Sequence, residues 1–324
     1  MSDDAGSPVE PPVPPDPAPD PAFKKPFWGR FWELLETSSE ATIAGKDEES
    51  YAAKMQLLNL VTEEEQRNPI PEVRLMNQAD DLELQGEWLA AETVRRQILA
   101  QAESSGKFGS VTKAQEDLSR LLRTVGRLDE AWEFALAADA SSRRFKKIVV
   151  FRGMALSNEI ACALDRGDSA KARTLAVEAL GLVKPGKLHD QARARALTNR
   201  ARCLFACGDP VGVASDLAAG WELLQKDPRF CTMPGPLWAL GNWWEVKSQL
   251  ETRLGNLASA REAIIHAIEY RRQTEGAYAL VALARALASL VSLLRAEGDE
   301  VGEERCLSES RSIFEELNLP AGTS

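Results

Sequence analysis

The sequence predicts an all-α fold, a right-handed superhelix (α-solenoid) of about seven helical hairpins, and three observations carry that prediction. First, Leu121 to Ala138, LLRTVGRLDEAWEFALAA, reads as the end of one helix, a tight turn at Gly126 and the start of a second helix. Gly126 tolerates the left-handed backbone of a sharp helix stop, and Asp129 and Glu130 suit the positive N-terminus of the next helix. Second, the same turn recurs at Gly86, Gly167, Gly208, Gly255 and Gly298, with a worn copy at Gly45, at spacings of 41, 40, 41, 41, 47 and 43 residues. Third, five residues after the glycine stand Ala91, Ala131, Ala172, Val213 and Ala260, with Ser50 and Glu303 in the outer copies. Helix axes that cross closely demand a small residue at the contact, so a recurrence locked to the turn marks a repeat array.

Taken in order, residues 1–26 hold nine of the seventeen prolines and almost nothing to bury, which predicts a disordered, partly polyproline II tail. The array then spans 27–318, and 319–324 form a flexible C-terminus. Trp28, Phe31, Trp32 and Leu35 fall at helical spacing beside Lys24, Lys25 and Arg30. They fit the first helix of the Gly45 hairpin, and a membrane-surface helix is the other reading. Regular hairpins follow to Val183. Between Gly208 and Gly255 the period stretches to 47, and the extra residues belong to Lys226–Pro236. Insertions in solenoids map to surface loops, so Trp238, Trp243 and Trp244 just beyond it belong either to a binding rim or to the core. The last helix, from Val301 to Leu317, closes the array with a charged outer face. Ile148-Val149-Val150 is the only strand candidate, and it sits where a helix is due.

The turns resemble those of tetratricopeptide repeats, as in Gly86-Glu-Trp-Leu-Ala-Ala91 and Gly126-Arg-Leu-Asp-Glu-Ala131. The period is longer than the ~34 residues of that class. With text such as Glu92-Thr-Val-Arg-Arg-Gln-Ile-Leu-Ala100, it is similar to the kinesin-light-chain-like subclass. The resemblance covers most of 28–317 and is one of scaffold. It implies a concave groove lined by the first helix of each hairpin.

Bulk properties narrow the function. Lys plus Arg number 39 and Asp plus Glu 49, a net charge of −10, which argues against wholesale nucleic-acid binding. The basic run Arg143-Arg-Phe-Lys-Lys147 is the one feature on that side. The N-terminus lacks signal-peptide character and no apolar run reaches the ~20 residues of a membrane span, so the expected compartment is the cytoplasm. Five cysteines without framework spacing fit reduced thiols. Cys162 and Cys203 each precede a turn glycine by five residues and read as packing positions. His189 and His266 have no partner at ligand spacing. No phosphate loop, Walker motif or nucleophile elbow occurs, and neither metal nor cofactor is expected.

The informative series lies on the first helices. Nine residues before their glycines stand Asn77, Asp117, Asn158 and Asn199. An asparagine offers a donor and an acceptor side by side and can hold the N–H and C=O of an extended peptide. The subclass resemblance implies that use, and a bond to a neighbouring helix is the alternative. Arg120 and Arg202 precede their glycines by six residues, Arg123 by three, and Lys113, Arg195 and Arg285 by thirteen. Arginines converging on one concave wall select acidic groups through bidentate bonds.

The sequence therefore reads as a non-enzymatic adaptor that binds a protein or peptide partner. Asn77, Asn158 and Asn199 would hold the backbone of an extended acidic segment, and Arg120, Arg123, Arg195 and Arg202 would choose its side chains. The alternative is a regulator whose own N-terminal segment, Phe27–Leu35 or the proline tail, occupies the groove until a ligand displaces it.

Overall fold

The computed structural model describes residues 71–319, apart from 107, 145–148, 183–189 and 226–233, and scattered positions between 30 and 60. The proline-rich tail, the Gly45 turn, Trp28, Phe31, Trp32, Leu35, Phe145 to Lys147 and 320–324 lie outside the described residues. Described positions between 30 and 60 are helical, with Leu34, Ala41 and Ala53 buried.

From residue 71 the chain forms twelve helices and, among the described residues, no strand. They pair as α1 (Pro71–Leu84) with α2 (Trp88–Ser104), α3 (Phe108–Thr124) with α4 (Leu128–Ser142), and α5 (Val149–Asp165) with α6 (Ser169–Leu182). Then follow α7 (Asp190–Ala206) with α8 (Pro210–Gln225), α9 (Pro234–Arg253) with α10 (Leu257–Arg272), and α11 (Ala277–Glu297) with α12 (Glu300–Glu316). Each pair is one hairpin, and each packs on the next.

All six described turn glycines adopt a left-handed backbone, with φ between 72° and 82°. At Gly126 the N–H of Arg127 reaches back to the Leu122 carbonyl and that of Gly126 to the Arg123 carbonyl, which satisfies the last carbonyls of α3. Where aspartate follows the glycine it caps the second helix: Asp168, Asp209 and Asp299 accept from the N–H groups of Lys171, Gly212 and Gly302. The five small residues after the turns, Ala91, Ala131, Ala172, Val213 and Ala260, are all 0% exposed. Ser119 and Ser248, seven residues before their glycines, donate to the carbonyls of Ala131 and Ala260 and lock the hairpins across the crossing.

Two features depart from the sequence reading. The segment Ala277–Glu297 is long and apolar enough to cross a membrane, with a mean hydropathy of 1.9, although no such run was expected. It is α11, and 61% of that apolar window is buried because α10, α12 and α1 pack against it. The second departure is closure. Instead of ending in a free cap, α12 brings Leu317 to the first described hairpin, where its carbonyl accepts the indole N–H of Trp88 at 2.5 Å. Tyr278 of α11 meets the Trp88 ring edge-on at 6.3 Å. Trp88, Ala91, Leu121, Leu317 and Leu319 consequently share one core with α10, α11 and α12.

Candidate functional site

Closure turns the concave face into a chamber of about 500 Å³ lined by α3, α5, α7, α9 and α11, all first helices, with the α10–α11 turn at one edge. The phase read from the turns places its walls. Thirteen residues before the glycine, Lys113, Met154, Arg195, Asn242 and Arg285 all face inward, and nine before it so do Asp117, Asn158, Asn199 and Val246. Arg120, Ala161 and Arg202 form a further row.

Six of the seven sequence candidates are thereby gathered: Asn158, Asn199, Arg120, Arg123, Arg195 and Arg202 line one chamber. Asn77 does not. It is exposed on α1, outside the wall, because α11 packs against α1 and its Tyr278 meets Arg120 of α3, so the wall passes from α3 to α11. The asparagines differ from one another as well. Asn199 donates to Ser157 on α5 at 3.1 Å, a bond to the neighbouring helix, whereas Nδ2 of Asn158 is buried without a partner.

The row ten residues before the glycine is missing from the sequence reading. It contributes Glu116, Ser157, Thr198 and Glu245, and so two further carboxylates, to the chamber. Seven cationic and five acidic side chains line the walls, a local excess of two positive charges in a chain of net −10. The charges are unevenly used. Around α3, Asp117 is 3% exposed and accepts from Lys113 and from Arg120 at 2.5 and 2.9 Å. Burial raises its pKa, but Arg120, Lys113 and Arg95 together hold it below the usual carboxylate value. Arg120 also lies 4.1 Å over the Tyr278 ring, and Arg123 stands 3.5 Å from Asp165. On the α7 side, by contrast, Arg195 and Arg202 have no hydrogen bond or ion pair among the described residues. Arg195 is open to the chamber yet ringed by protein, and burial lowers its pKa against the pull of Glu116. Glu116 itself is pushed up to about 7 by burial.

Trp243 is core, 5% exposed and bonded to the Leu217 carbonyl, while Trp238 lines the chamber with Arg271 5.0 Å over its ring. Cys162, Cys203 and Cys306 are buried on three different hairpins, and burial pushes the Cys203 thiol up to about 12. Such thiols are packing groups and not nucleophiles. Among the described residues no group of three or more His, Cys, Asp and Glu side chains is placed to hold a metal ion.

Comparison of the fold with solved structures matches BtubC (BKLC) from P. vanneervenii at a TM-score of 0.50 and 15% identity, over 70% of this chain and 91% of that one. Two crystal structures of nearly identical TPR-like repeats from Podosopora anserina also align. Their TM-scores are 0.41 and 0.40 at 16% identity, over 64% and 62% of this chain and 95% and 93% of those. The chain has a tetratricopeptide-like α-solenoid fold built of successive helical hairpins. No protein-family profile matches the sequence, and no curated protein matches it.

Proposed function

We propose that the chain is a non-enzymatic, cytoplasmic protein-interaction adaptor that takes an acidic, extended segment of a partner protein into its chamber. The observation that carries the reading is the pair Arg195 and Arg202, two inward-facing cations about two turns apart on α7 with no ion-pair partner among the described residues. Two open cations on one concave wall attract an anionic segment and can hold its carboxylates through bidentate bonds. Asn158, with its buried unpartnered Nδ2, supplies a donor for a backbone carbonyl beside them.

The test is fluorescence anisotropy of the full chain with eight-residue peptides of equal length, one rich in Glu and Asp, one neutral and one rich in Lys. Preference for the acidic peptide that fades with added salt supports the reading. Equal binding of the three, or none, overturns it.

A further inference from the structure

The chamber wall made by α7, α9, α10 and α11 holds a charge cluster that an acidic peptide does not fully explain. Arg271 of α10 is 3% exposed, yet only its Nη2 is engaged, donating to Asn242 at 2.9 Å and to Glu245 at 2.5 Å. Its Nε and Nη1 are buried with no partner. Arg202 and Arg285 act on the same Glu245 carboxylate, and Arg123 acts on Arg285 beside Asp165. Four guanidiniums thus surround two carboxylates, an excess of two positive charges with buried N–H groups left over. Burial alone would raise the pKa of Glu245, but Arg271, Arg202 and Arg285 hold it below the ordinary value, so its charge is already counted in that balance.

We infer that this cluster binds a phosphate monoester, held by Arg202, Arg271 and Arg285 with Asn158 as a neutral donor. The charge matches, since a phosphate monoester carries about −1.5 to −2 near neutrality. Geometry argues the same way. The donors come from four helices, α5, α7, α10 and α11, and a tetrahedral oxyanion presents acceptors to several sides, whereas a carboxylate offers two in one plane. The phosphate could be borne by a phosphorylated residue of the partner segment or by a free small molecule, and a chamber of about 500 Å³ has room for either. The inference rests on the chamber being the binding site.

Calorimetric titration of the full chain with phenyl phosphate, and with phenyl sulfate as a singly charged group of the same shape, tests it. The expected result is one site, with phenyl sulfate at least tenfold weaker. Arg202→Gln should weaken phenyl phosphate at least tenfold with an unchanged circular dichroism spectrum, because Arg202 has no ion pair to lose among the described residues. Arg261→Gln, at a site paired with Glu297 away from the chamber, should leave it unchanged. Absence of phenyl phosphate binding, equal binding by Arg202→Gln, or no preference over phenyl sulfate overturns the inference. If the acidic peptide still binds in that event, the adaptor reading stands alone; if neither binds, both fall. A neutral octapeptide carrying phosphoserine separates the sources: more than tenfold tighter than phenyl phosphate identifies a partner chain, and equal affinity a free small molecule.

Discussion

The indole N–H of Trp88 donates to the carbonyl oxygen of Leu317, joining residues 229 positions apart and seating the end of the last helix on the first described turn. A repeat array ordinarily touches only its nearest neighbours, so its stability is a sum of local terms. This contact and the shared core around it make the first and last described hairpins neighbours, and the chamber exists because of it.

Closure can be weighed by comparing two turn glycines. Gly86 and Gly126 both have positive φ, so an alanine at either costs ~1–2 kcal/mol in backbone strain. A Cβ on Gly126 meets nothing, whereas on Gly86 it falls 2.5 Å from the Leu317 carbonyl carbon. Gly86→Ala should therefore cost roughly 1–3 kcal/mol more than Gly126→Ala in urea unfolding. Equal losses would mean that the ends are not joined in solution. Trp88→Phe, which leaves the Leu317 carbonyl without its donor, should cost about 1–3 kcal/mol by the same measurement.

The wall of the chamber at α3 depends on a residue outside it. Arg95 of α2 is 2% exposed and bonds Glu83 at 2.9 Å, Asp80, and Asp117 at 3.6 Å. Arg95→Leu strands the buried Glu83 carboxylate, while Asp117 keeps Lys113 and Arg120, and should cost about 3–5 kcal/mol, part of which Arg95→Leu with Glu83→Leu recovers. A single-variant loss below about 1 kcal/mol in a double-mutant cycle would contradict the network.

Stability should fall between pH 5 and pH 8. Burial pushes Glu116 and Glu159 each up to about 7, above the unfolded value of about 4.3. The folded state then holds protons that the unfolded chain releases, so this stabilisation is complete below the unfolded pKa and is lost as pH rises through 7. Glu159, 2% exposed and outside the chamber, isolates the effect. Glu159→Gln should raise the melting temperature at pH 8 and raise it much less at pH 5. An equal change at both would assign the effect to packing.

Much of this was legible because the turn glycines fix the phase of every helix. Counting back from Gly126, Gly167 and Gly208 picked out Arg120, Arg123, Asn158, Arg195, Asn199 and Arg202, all on the chamber wall. The counting failed where the helices change length or neighbours. With 20 and 21 residues, α9 and α11 present residues further from their glycines, among them Trp238 and Tyr278. Asn77 has the right phase on a helix that α11 walls off. Glu116 and Glu245 lie one residue from the row read in the sequence, and they set the charge balance. Arg271 comes from a second helix, α10, outside the first-helix series that the turn glycines index. Closure itself had no signal, since nothing local in Trp88 or Leu317 marks a contact between the ends of an array.

The central claim, that the chamber is where a partner is held, is tested most directly by a charge swap at Arg202. Affinities of Arg202→Glu for the acidic and Lys-rich octapeptides would be measured beside its melting temperature. The account predicts at least a tenfold loss for the acidic peptide, equivalent to about 1.4 kcal/mol, a gain for the Lys-rich one and a nearly unchanged melting temperature. Unchanged affinity for the acidic peptide in a folded variant would contradict it.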